Sequence, residues 1–318
     1  MSEFAAIDQV RKALRQSVIG QERLVDRMLV ALLADGHLLV EGAPGLAKTR
    51  AIRALAGLIE GDYQRIQFTP DLLPADITGT EIYRPEQGSF RFQQGPLFNN
   101  LILADEINRA PAKVQSALLE AMAERQVTVG HTTYPLPGLF MVMATQNPIE
   151  QEGTYPLPEA QLDRFMLHVK IDYPDLQHER DILRLVRGES AGESAPAVPP
   201  LSAESLFAAR REVAALHVAG PVEDYIVRLI GASRGVNAGP DLQRWIAWGA
   251  SPRGTIALDA CARAHAWLGG RDFVSPDDVQ AVLHDVLRHR VILSYEAEAD
   301  AVGSDAVIDA MLARVAAP

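Results

Sequence analysis

A glycine-rich segment, Gly42-Ala43-Pro44-Gly45-Leu46-Ala47-Lys48-Thr49, constrains the local fold of this chain more than any other feature. The apolar run His37-Leu38-Leu39-Val40 precedes it, and the residues from Arg50 to Leu58 that follow have a helical pattern. This order predicts a buried strand, a tight turn and a helix that begins at the turn.

The same segment has the chemistry of a phosphate-binding loop. Consecutive backbone N–H groups in such a turn and at the helix N-terminus point at one spot and attract an anion. Lys48 would add a positive charge for the β- and γ-phosphates, and the Thr49 hydroxyl would bind Mg²⁺. The usual pattern has glycine just before the lysine, whereas this chain has Ala47. The predicted nucleotide-binding residues here are Gly42, Ala43, Pro44, Gly45, Leu46, Ala47, Lys48, Thr49 and the adjoining Arg50.

Short apolar strands alternate with helical segments in the first part of the chain. Such strands between helices indicate a parallel sheet covered on both faces. Two hairpins are predicted to project from this α/β body, at Glu81–Phe92 and Val127–Tyr134. The strands are predicted at Leu38–Val40, Tyr63–Phe68, Leu101–Ala104, Phe140–Ala144 and Met166–Val169.

The most polar and proline-rich break, at residues 188–200, is the predicted linker. After it the chain is predicted to be entirely helical, with one helix that begins at Ser275-Pro276-Asp277-Asp278. The predicted domains are therefore an α/β domain over residues 1–190 and a helical domain over residues 191–318.

Two more predicted strands end in polar residues that suit the same chemistry. Leu101-Ile102-Leu103-Ala104 is followed by Asp105 and Glu106, which would hold Mg²⁺ and polarise an attacking water, respectively. A solvated strand end is the alternative for this pair. Met141-Val142-Met143-Ala144 leads to Asn147, which could hydrogen-bond the γ-phosphate or the same water, or could be a turn asparagine before Pro148.

Composition excludes several classes of protein. Lys and Arg number 30 against 41 for Asp and Glu, so the net charge of −11 gives no footprint for nucleic acid or an anionic membrane. A single cysteine, Cys261, excludes an intrachain disulfide and fits a reducing cytoplasm. The start of the chain is not expected to be a signal peptide, and no stretch is apolar enough for a membrane span. His284 and His289 are expected to be solvated and not metal ligands.

The order of these motifs resembles that of the AAA+ ATPases, and more narrowly the MoxR family. The further residues that carry the resemblance are Leu162-Asp163-Arg164-Phe165, Ser251-Pro252-Arg253-Gly254, and the segment Glu152 to Gln161 before the arginine. MoxR loops read Gly-x-Pro-Gly-x-Ala-Lys-Thr, so Ala47 is expected in that family. The resemblance covers nearly the whole chain and implies an AAA+ α/β domain with a helix-2 insert, a pre-sensor hairpin and a C-terminal helical lid.

The resemblance also implies roles for residues outside the loop. Arg164 resembles the arginine finger that acts on a neighbouring subunit's ATP, and the alternative is a surface salt bridge with Asp163. Arg253 resembles the sensor 2 arginine that reaches from the lid to the nucleotide, and the alternative is solvation of a helix start. Ile19 and Gly20 resemble the backbone that contacts the adenine, against the alternative of a plain turn between helices.

The resemblance implies an ATPase that uses ATP and Mg²⁺, forms a homo-oligomer of hexameric type, and remodels other proteins as a chaperone would. MoxR proteins typically mature or activate partner proteins, often metalloenzymes, together with a von Willebrand factor A domain protein, which is expected here as a separate chain. A metal-chelatase motor subunit and a nucleic-acid motor are the alternatives, and the acidic charge argues against the second.

Overall fold

The computed structural model describes residues 2–86, 88–148, 153–192 and 198–318. Parts of the sequence predictions therefore lie outside the described residues. These parts are Gln87 in the first hairpin turn, Glu152 at the start of the segment before Arg164, and residues 193–197 of the predicted linker.

The strands and helices alternate through the first part of the chain, as the apolar pattern predicts. The strands are β1 Leu38–Glu41, β2 Tyr63–Gln67, β3 Gly79–Arg84, β4 Ser89–Gln94, β5 Leu101–Asp105, β6 Gln126–Val129, β7 Thr132–Pro135, β8 Met141–Gln146, β9 Leu167–Lys170, β10 Ile246–Trp248 and β11 Ile292–Leu293. The helices are α1 Glu3–Ser17, α2 Glu22–Leu33, α3 Lys48–Gly57, α4 Pro74–Thr78, α5 Ala112–Glu124, α6 Glu159–Leu162, α7 Leu176–Ser190, α8 Ala203–Ala214, α9 Gly220–Ser233, α10 Gly239–Trp245, α11 Pro252–Leu268, α12 Pro276–Leu287, α13 Tyr295–Ala299 and α14 Ser304–Arg314.

The central sheet is parallel, with the strand order β2-β5-β8-β1-β9. Successive side chains of a strand point to opposite sides, and each face of the sheet is covered by helices. In β5, Leu101 and Leu103 join the core that also contains α1, α2 and α3, whereas Ile102 and Ala104 join the core under α5. All strands run the same way, so the loops after β1, β5 and β8 meet at one edge, which we call the carboxyl edge.

The two predicted hairpins are present, and they pack on each other. β3 pairs with β4, and β6 pairs with β7. The Phe92 ring stacks on Tyr134 at 4.1 Å between centroids, which joins the hairpins through one face. Beyond this contact, the rings of Tyr83 and Phe90 lie 5.2 Å apart and are 52% and 67% exposed.

The region after the predicted linker is helical except for the short antiparallel pair β10–β11. The helix α12 begins as predicted, with a capping box in which Ser275 accepts from the Asp278 N–H and the Asp278 carboxylate accepts from the Ser275 N–H. Cys261 is fully buried in α11, and burial raises its pKa to about 12. Residues of α8 to α12 and of α14 share one continuous core with α1, α2 and α3, so this region packs against the α/β body along a broad face.

Among the described residues, no helix combines the length and the apolar character that crossing a lipid bilayer requires.

Candidate nucleotide-binding site and an arginine-lined cavity

The glycine-rich loop connects β1 to α3 and lies at the carboxyl edge. Gly42 has no room for a side chain, because a Cβ atom would come within 2.5 Å of Ile171 Cγ1. Gly45 has φ +85°, and a Cβ atom there would meet nothing within 4 Å, so the loop is open above this residue. Ala47 caps α3 with φ 59° and ψ 16°, a left-handed conformation that glycine adopts more easily than alanine.

The loop presents unused hydrogen-bond donors at the start of α3. Among the described residues, no protein acceptor is bonded to the N–H groups of Gly45, Leu46, Ala47 or Thr49. Free N–H groups at a helix N-terminus favour an anion, since they carry the positive end of the helix dipole. Lys48 lies across the loop, where its Nζ donates to Gly42 O at 2.5 Å and to Ala43 O at 3.4 Å.

Asp105 ends β5 beside this loop, and both of its carboxylate oxygens are engaged. The Thr145 hydroxyl donates to Oδ1 at 2.6 Å, and Arg65 of β2 donates to Oδ2 at 2.7 and 3.0 Å. Thr145 also accepts the Glu106 N–H at 2.9 Å, so one buried hydroxyl fixes both acidic residues.

Glu106 follows Asp105 in the left-handed conformation, with φ 58°. Non-glycine residues rarely adopt this conformation, and where they do it is often at a functional site. Gln67 of β2 donates to Glu106 Oε2 at 2.7 Å, and Arg109 donates to the same oxygen at 3.1 Å. The carboxylate is therefore held by a neighbouring strand and by the turn that follows it.

Asn147 follows β8, which lies between β1 and β5 in the sheet. It is buried and adjoins the loop, because its neighbour Gln146 accepts the Gly42 N–H at 3.3 Å and lies 3.5 Å from Lys48 Nζ.

The hydroxyl oxygen of Thr49 and the carboxylate oxygens of Asp105 are of the kind that Mg²⁺ prefers as ligands. Since both Asp105 oxygens already accept hydrogen bonds, the donor set fits an ion that keeps part of its water shell.

A cavity beside the loop lies where the adenine is predicted. Ile19 lines it together with the loop residues Gly45 to Ala47 and with Ile182 of α7. Gly20 has φ +76° and packs against α7, where a Cβ atom would come within 3.0 Å of His178. The residues that line this cavity lie between Ser17 and Leu185, so it is built within the predicted α/β domain.

Arg50 also lines this cavity, and its side chain is bonded to other residues of the protein. Its Nε donates to Ser17 O at 2.6 Å, and its guanidinium forms an ion pair with Glu189 at the end of α7. A direct contact of Arg50 with nucleotide stays a prediction.

Arg164 and Arg253 lie elsewhere, at the opposite edge of the sheet, which we call the amino edge. Both line a cavity of about 320 Å³ that also contains Gly36 and His37, the residues just before β1. The short strand β1 separates this cavity from the phosphate loop by roughly 13 Å, at about 3.3 Å per residue. The structure thus brings Lys48, Asp105, Glu106 and Asn147 together and places the two arginines apart from them.

The cavity at the amino edge is rich in arginine. Arg125 is paired there with Asp35 at 2.8 Å. Asp163 forms an ion pair with Arg290 at 2.8 Å and accepts a hydrogen bond from the Ser251 hydroxyl at 2.8 Å. It does not form the salt bridge with Arg164 that the sequence left as an alternative. Within the described part of the chain, the guanidinium groups of Arg164 and Arg253 form no hydrogen bond or ion pair.

Several residues of the carboxyl edge were not singled out from the sequence. Thr145 directly follows the apolar run Met141–Ala144, and its place at the polar end of that strand could have suggested it. Arg65 and Gln67 look like exposed positions of an edge strand, and only the pairing of β2 with β5 places them beside the acidic residues. The expectation that His289 is solvated is wrong: it is buried, bonded to Phe165 O at 2.9 Å, and burial holds its pKa well below the usual value.

The sequence matches family models of an ATPase domain and of a lid domain, in agreement with the fold and the phosphate loop described above. Residues 37–167 match the family model described as "ATPase family associated with various cellular activities (AAA)", and residues 242–311 match the AAA lid domain. The fold and the carboxyl-edge motifs therefore define an AAA+ P-loop ATPase with a lid.

The relatives narrow this class. Chaperone MoxR1 from Mycobacterium tuberculosis is 46% identical over 100% of this chain and 84% of its own length. Protein MoxR from Paracoccus denitrificans is 35% identical over 96% of this chain and 94% of its own length. A crystal structure from Cytophaga hutchinsonii, of a protein described as a candidate ATPase, has a TM-score of 0.90 and 43% identity and covers 99% of this chain and 96% of that one. The chain belongs to the MoxR family of AAA+ ATPases.

Proposed function

We propose that this protein hydrolyses ATP at the interface between two copies of the chain. One observation carries the proposal: Lys48, Asp105 and Glu106 lie at the carboxyl edge, whereas Arg164 and Arg253, whose guanidinium groups pair with none of the described residues, lie at the amino edge. An arginine at the amino edge is too far away to reach a γ-phosphate bound in its own loop. A second subunit that presents its amino edge to that loop would complete the site.

The carboxyl edge would supply binding and activation of water. The Lys48 ammonium would hold the phosphates together with the N–H groups of Gly45, Leu46, Ala47 and Thr49, which bond to no acceptor among the described residues, and Glu106 would accept a proton from the attacking water. When Mg²⁺ is bound through Thr49 and Asp105, it supplies charge neutralisation at the β- and γ-phosphates. Asn147 would orient the γ-phosphate or the water from the adjacent strand end. For this chemistry Glu106 must first leave Gln67 and Arg109, which hold it in the free protein.

The amino edge would supply the charge that stabilises the transition state. A guanidinium at the transferred phosphoryl group is worth about 10³–10⁵ in rate where it has been measured. Arg164 and Arg253 line one cavity, and the acidic groups there, Asp35 and Asp163, are already neutralised by other arginines. Two positive charges in one concave surface, with no acidic partner among the described residues, suit the phosphates of a nucleotide bound to the neighbouring subunit.

We further propose a homo-oligomer, of hexameric ring type, that acts as a chaperone-like remodeller of other proteins. The hairpins β3–β4 and β6–β7 would be the moving parts, and the exposed rings of Tyr83 and Phe90 provide an apolar contact for a client polypeptide. A separate von Willebrand factor A domain protein and a client that matures into an active enzyme are the partners that MoxR membership suggests. The cytoplasm is the compartment in which we propose that it acts.

A nucleic-acid motor is the less favoured alternative. The net charge is −11, and the arginines of the first hairpin, Arg84 and Arg91, are accompanied by Glu81 and Glu86. A nucleic-acid motor would show ATPase activity that rises when DNA is added at physiological salt, whereas a protein remodeller would not respond.

The test of the shared site uses two inactive variants. Lys48→Ala should abolish hydrolysis in the subunit that carries it but leave its amino edge intact, and Arg164→Ala should do the reverse. Each variant alone should be nearly inactive, and a mixture should regain part of the ATPase activity, because some interfaces then combine an intact loop with an intact arginine.

The control replaces an arginine of the lid surface. Arg211 is exposed on α8, so Arg211→Ala should hydrolyse ATP at the wild-type rate. Failure of the mixture to hydrolyse ATP, when native mass spectrometry shows that mixed assemblies form, would contradict the shared site.

A further inference from the structure

The residues that directly follow α12 form hydrogen bonds with β9, the edge strand that follows Arg164, and with the segment just before it. Arg288, His289 and Arg290 are all buried, although each carries polar nitrogens. Arg288 donates to His168 O, and His289 bonds to Phe165 O at 2.9 Å. The lid helix thus provides hydrogen-bond donors to backbone carbonyls along and just before an edge strand, where they would otherwise lack partners.

Of these three residues, Arg290 is the one that bonds to the backbone on both sides of Arg164. Its Nη2 donates to Asp163 O at 3.2 Å and to Phe165 O at 2.7 Å, so the carbonyls on both sides of Arg164 are bonded to one guanidinium. Its Nη1 donates to Met166 O at 3.1 Å, and its Nε donates to Asp163 Oδ1 at 2.8 Å. Arg290 has a side chain only 3% exposed, so it is itself too deep to meet a neighbouring subunit.

Ser251 extends this network to the second arginine. Its hydroxyl donates to Asp163 Oδ2 at 2.8 Å and accepts the Arg253 N–H at 3.1 Å as the N-cap of α11. The α11 backbone also lies close to Arg290, because a Cβ atom on Gly254 would come within 3.3 Å of Arg290 Cδ. The Asp163 carboxylate therefore links the segment that carries Arg164 to the helix start that carries Arg253, since it accepts hydrogen bonds from both Arg290 and Ser251.

We propose that Arg290, Asp163 and Ser251 are positioning residues that set the direction and spacing of Arg164 and Arg253. This inference rests on the proposed function, in which those two arginines act on the neighbour's nucleotide. The guanidinium groups of Arg164 and Arg253 have no partners of their own among the described residues, so their placement depends on the backbone from which they extend. A displacement of about 1 Å at such a group is enough to reduce a rate about 100-fold.

The test places Ser251→Gly in the subunit that donates the arginines. Glycine is itself accepted at an N-cap, so α11 should begin at the same place while the hydroxyl link to Asp163 is lost. In the mixture of Lys48→Ala and Arg164→Ala subunits, Ser251→Gly in the Lys48→Ala subunit should reduce the regained ATPase activity about tenfold to 100-fold. Ser251→Thr in the same subunit keeps the hydroxyl and should retain the activity.

The subunit that carries the substitution distinguishes positioning from general stability. Ser251→Gly in the Arg164→Ala subunit should have a far smaller effect, because that subunit contributes the loop and not the arginines. Ser202 is the N-cap of α8 in the same lid, so Ser202→Gly in the donor is the matched control and should leave the activity unchanged. Arg290→Lys in the donor should lower the activity in the same direction, since an ammonium cannot span the Asp163 carboxylate and the carbonyls around Arg164.

The outcomes separate the two proposals. A loss confined to the donor subunit, with retention by threonine, supports the positioning role. Equal losses in both subunits, or no loss in the donor, overturn the positioning role while the active parent mixture still supports the shared site. An inactive parent mixture in assembled mixed rings overturns the shared site and the positioning role with it.

Discussion

The carboxyl edge and the amino edge of the sheet hold their charged side chains in opposite ways. At the carboxyl edge Asp105 and Glu106 are bonded to Arg65, Gln67, Thr145 and Arg109 within the same subunit. At the amino edge Arg164 and Arg253 have no partners among the described residues, although buried groups fix the backbone around them. The carboxyl edge must therefore exchange hydrogen bonds when nucleotide binds, whereas the amino edge is already arranged for a partner.

The largest effect should come from Glu106→Gln, which alters only the carboxyl edge. The amide keeps the shape of the side chain but cannot accept the proton of the attacking water, so ATP hydrolysis should fall about 10²–10⁴-fold. Binding of a fluorescent ATP analogue should persist, because the loop and Lys48 are untouched. Single-turnover hydrolysis and equilibrium binding measure the two effects separately.

The matched control for this variant is Glu120→Gln, an exposed position on α5 that should leave hydrolysis unchanged. In mixed assemblies, a Glu106→Gln subunit should still supply Arg164 to the loop of its neighbour and support hydrolysis there. This result would show that the substitution affects the carboxyl edge and leaves the amino edge intact. Wild-type turnover by Glu106→Gln would show that another group activates the water.

Lowering the pH should reduce the free energy of unfolding, because the neutral ring of His37 is buried at the amino edge. This ring is buried next to the arginine cavity, where its Nδ1 accepts the Val142 N–H at 3.1 Å and its Nε2 lies 3.3 Å from Met122 O. Burial, and then the charge of Arg125, lower its pKa from 6.5 to about 3. Because the folded pKa is depressed, the neutral ring stabilises the fold fully above pH 6.5, and this contribution is lost as the pH falls toward 3.

The expected loss from His37 is about 2 kcal/mol of unfolding free energy between pH 7 and pH 5. Urea unfolding at the two pH values measures it, and His37→Asn should reduce the difference by about that amount. His131 is exposed in the β6–β7 turn, so His131→Asn is the control and should keep the wild-type difference. Equal pH dependence in the wild type and His37→Asn would contradict the assignment of a neutral buried ring.

A smaller effect is expected where Arg65 competes with Mg²⁺ for Asp105. Arg65 is about half exposed in this ion pair, so its charge is partly screened by solvent. Arg65→Gln should tighten Mg²⁺ binding in the presence of ATP about fivefold, or about 1 kcal/mol, because a positive charge beside the metal ligand is removed.

Arg53→Gln removes the same charge from an exposed position of α3 and is the matched control, with an expected change below twofold. The magnesium dependence of ATPase activity gives both values. Weaker Mg²⁺ binding in Arg65→Gln would mean that Arg65 contributes to the site and does not compete with the metal.

The comparison of the edges also explains what the sequence could predict. The apolar runs of β1, β5 and β8 and the helix start after Ala47 are local features, so the strand positions and the loop could be predicted from the sequence pattern alone. The partners of Asp105 and Glu106 depend on β2 lying next to β5, a long-range pairing that local periodicity does not determine. The same holds for His289 and Arg290, which resemble exposed polar residues until the lid packs on β9.

The smallest effect tests the residue that departs from the common loop pattern. Ala47 has φ 59°, so its Cβ is strained in a conformation that glycine adopts without cost. Ala47→Gly should therefore raise the free energy of unfolding of the loop region by about 0.5–1 kcal/mol. The matched control is Ala54→Gly in the interior of α3, where the same chemical change should destabilise by about 1 kcal/mol because the backbone there is helical. Hydrogen exchange at the α3 amides measures both, and the same sign in the two variants would show that Ala47 carries no conformational strain.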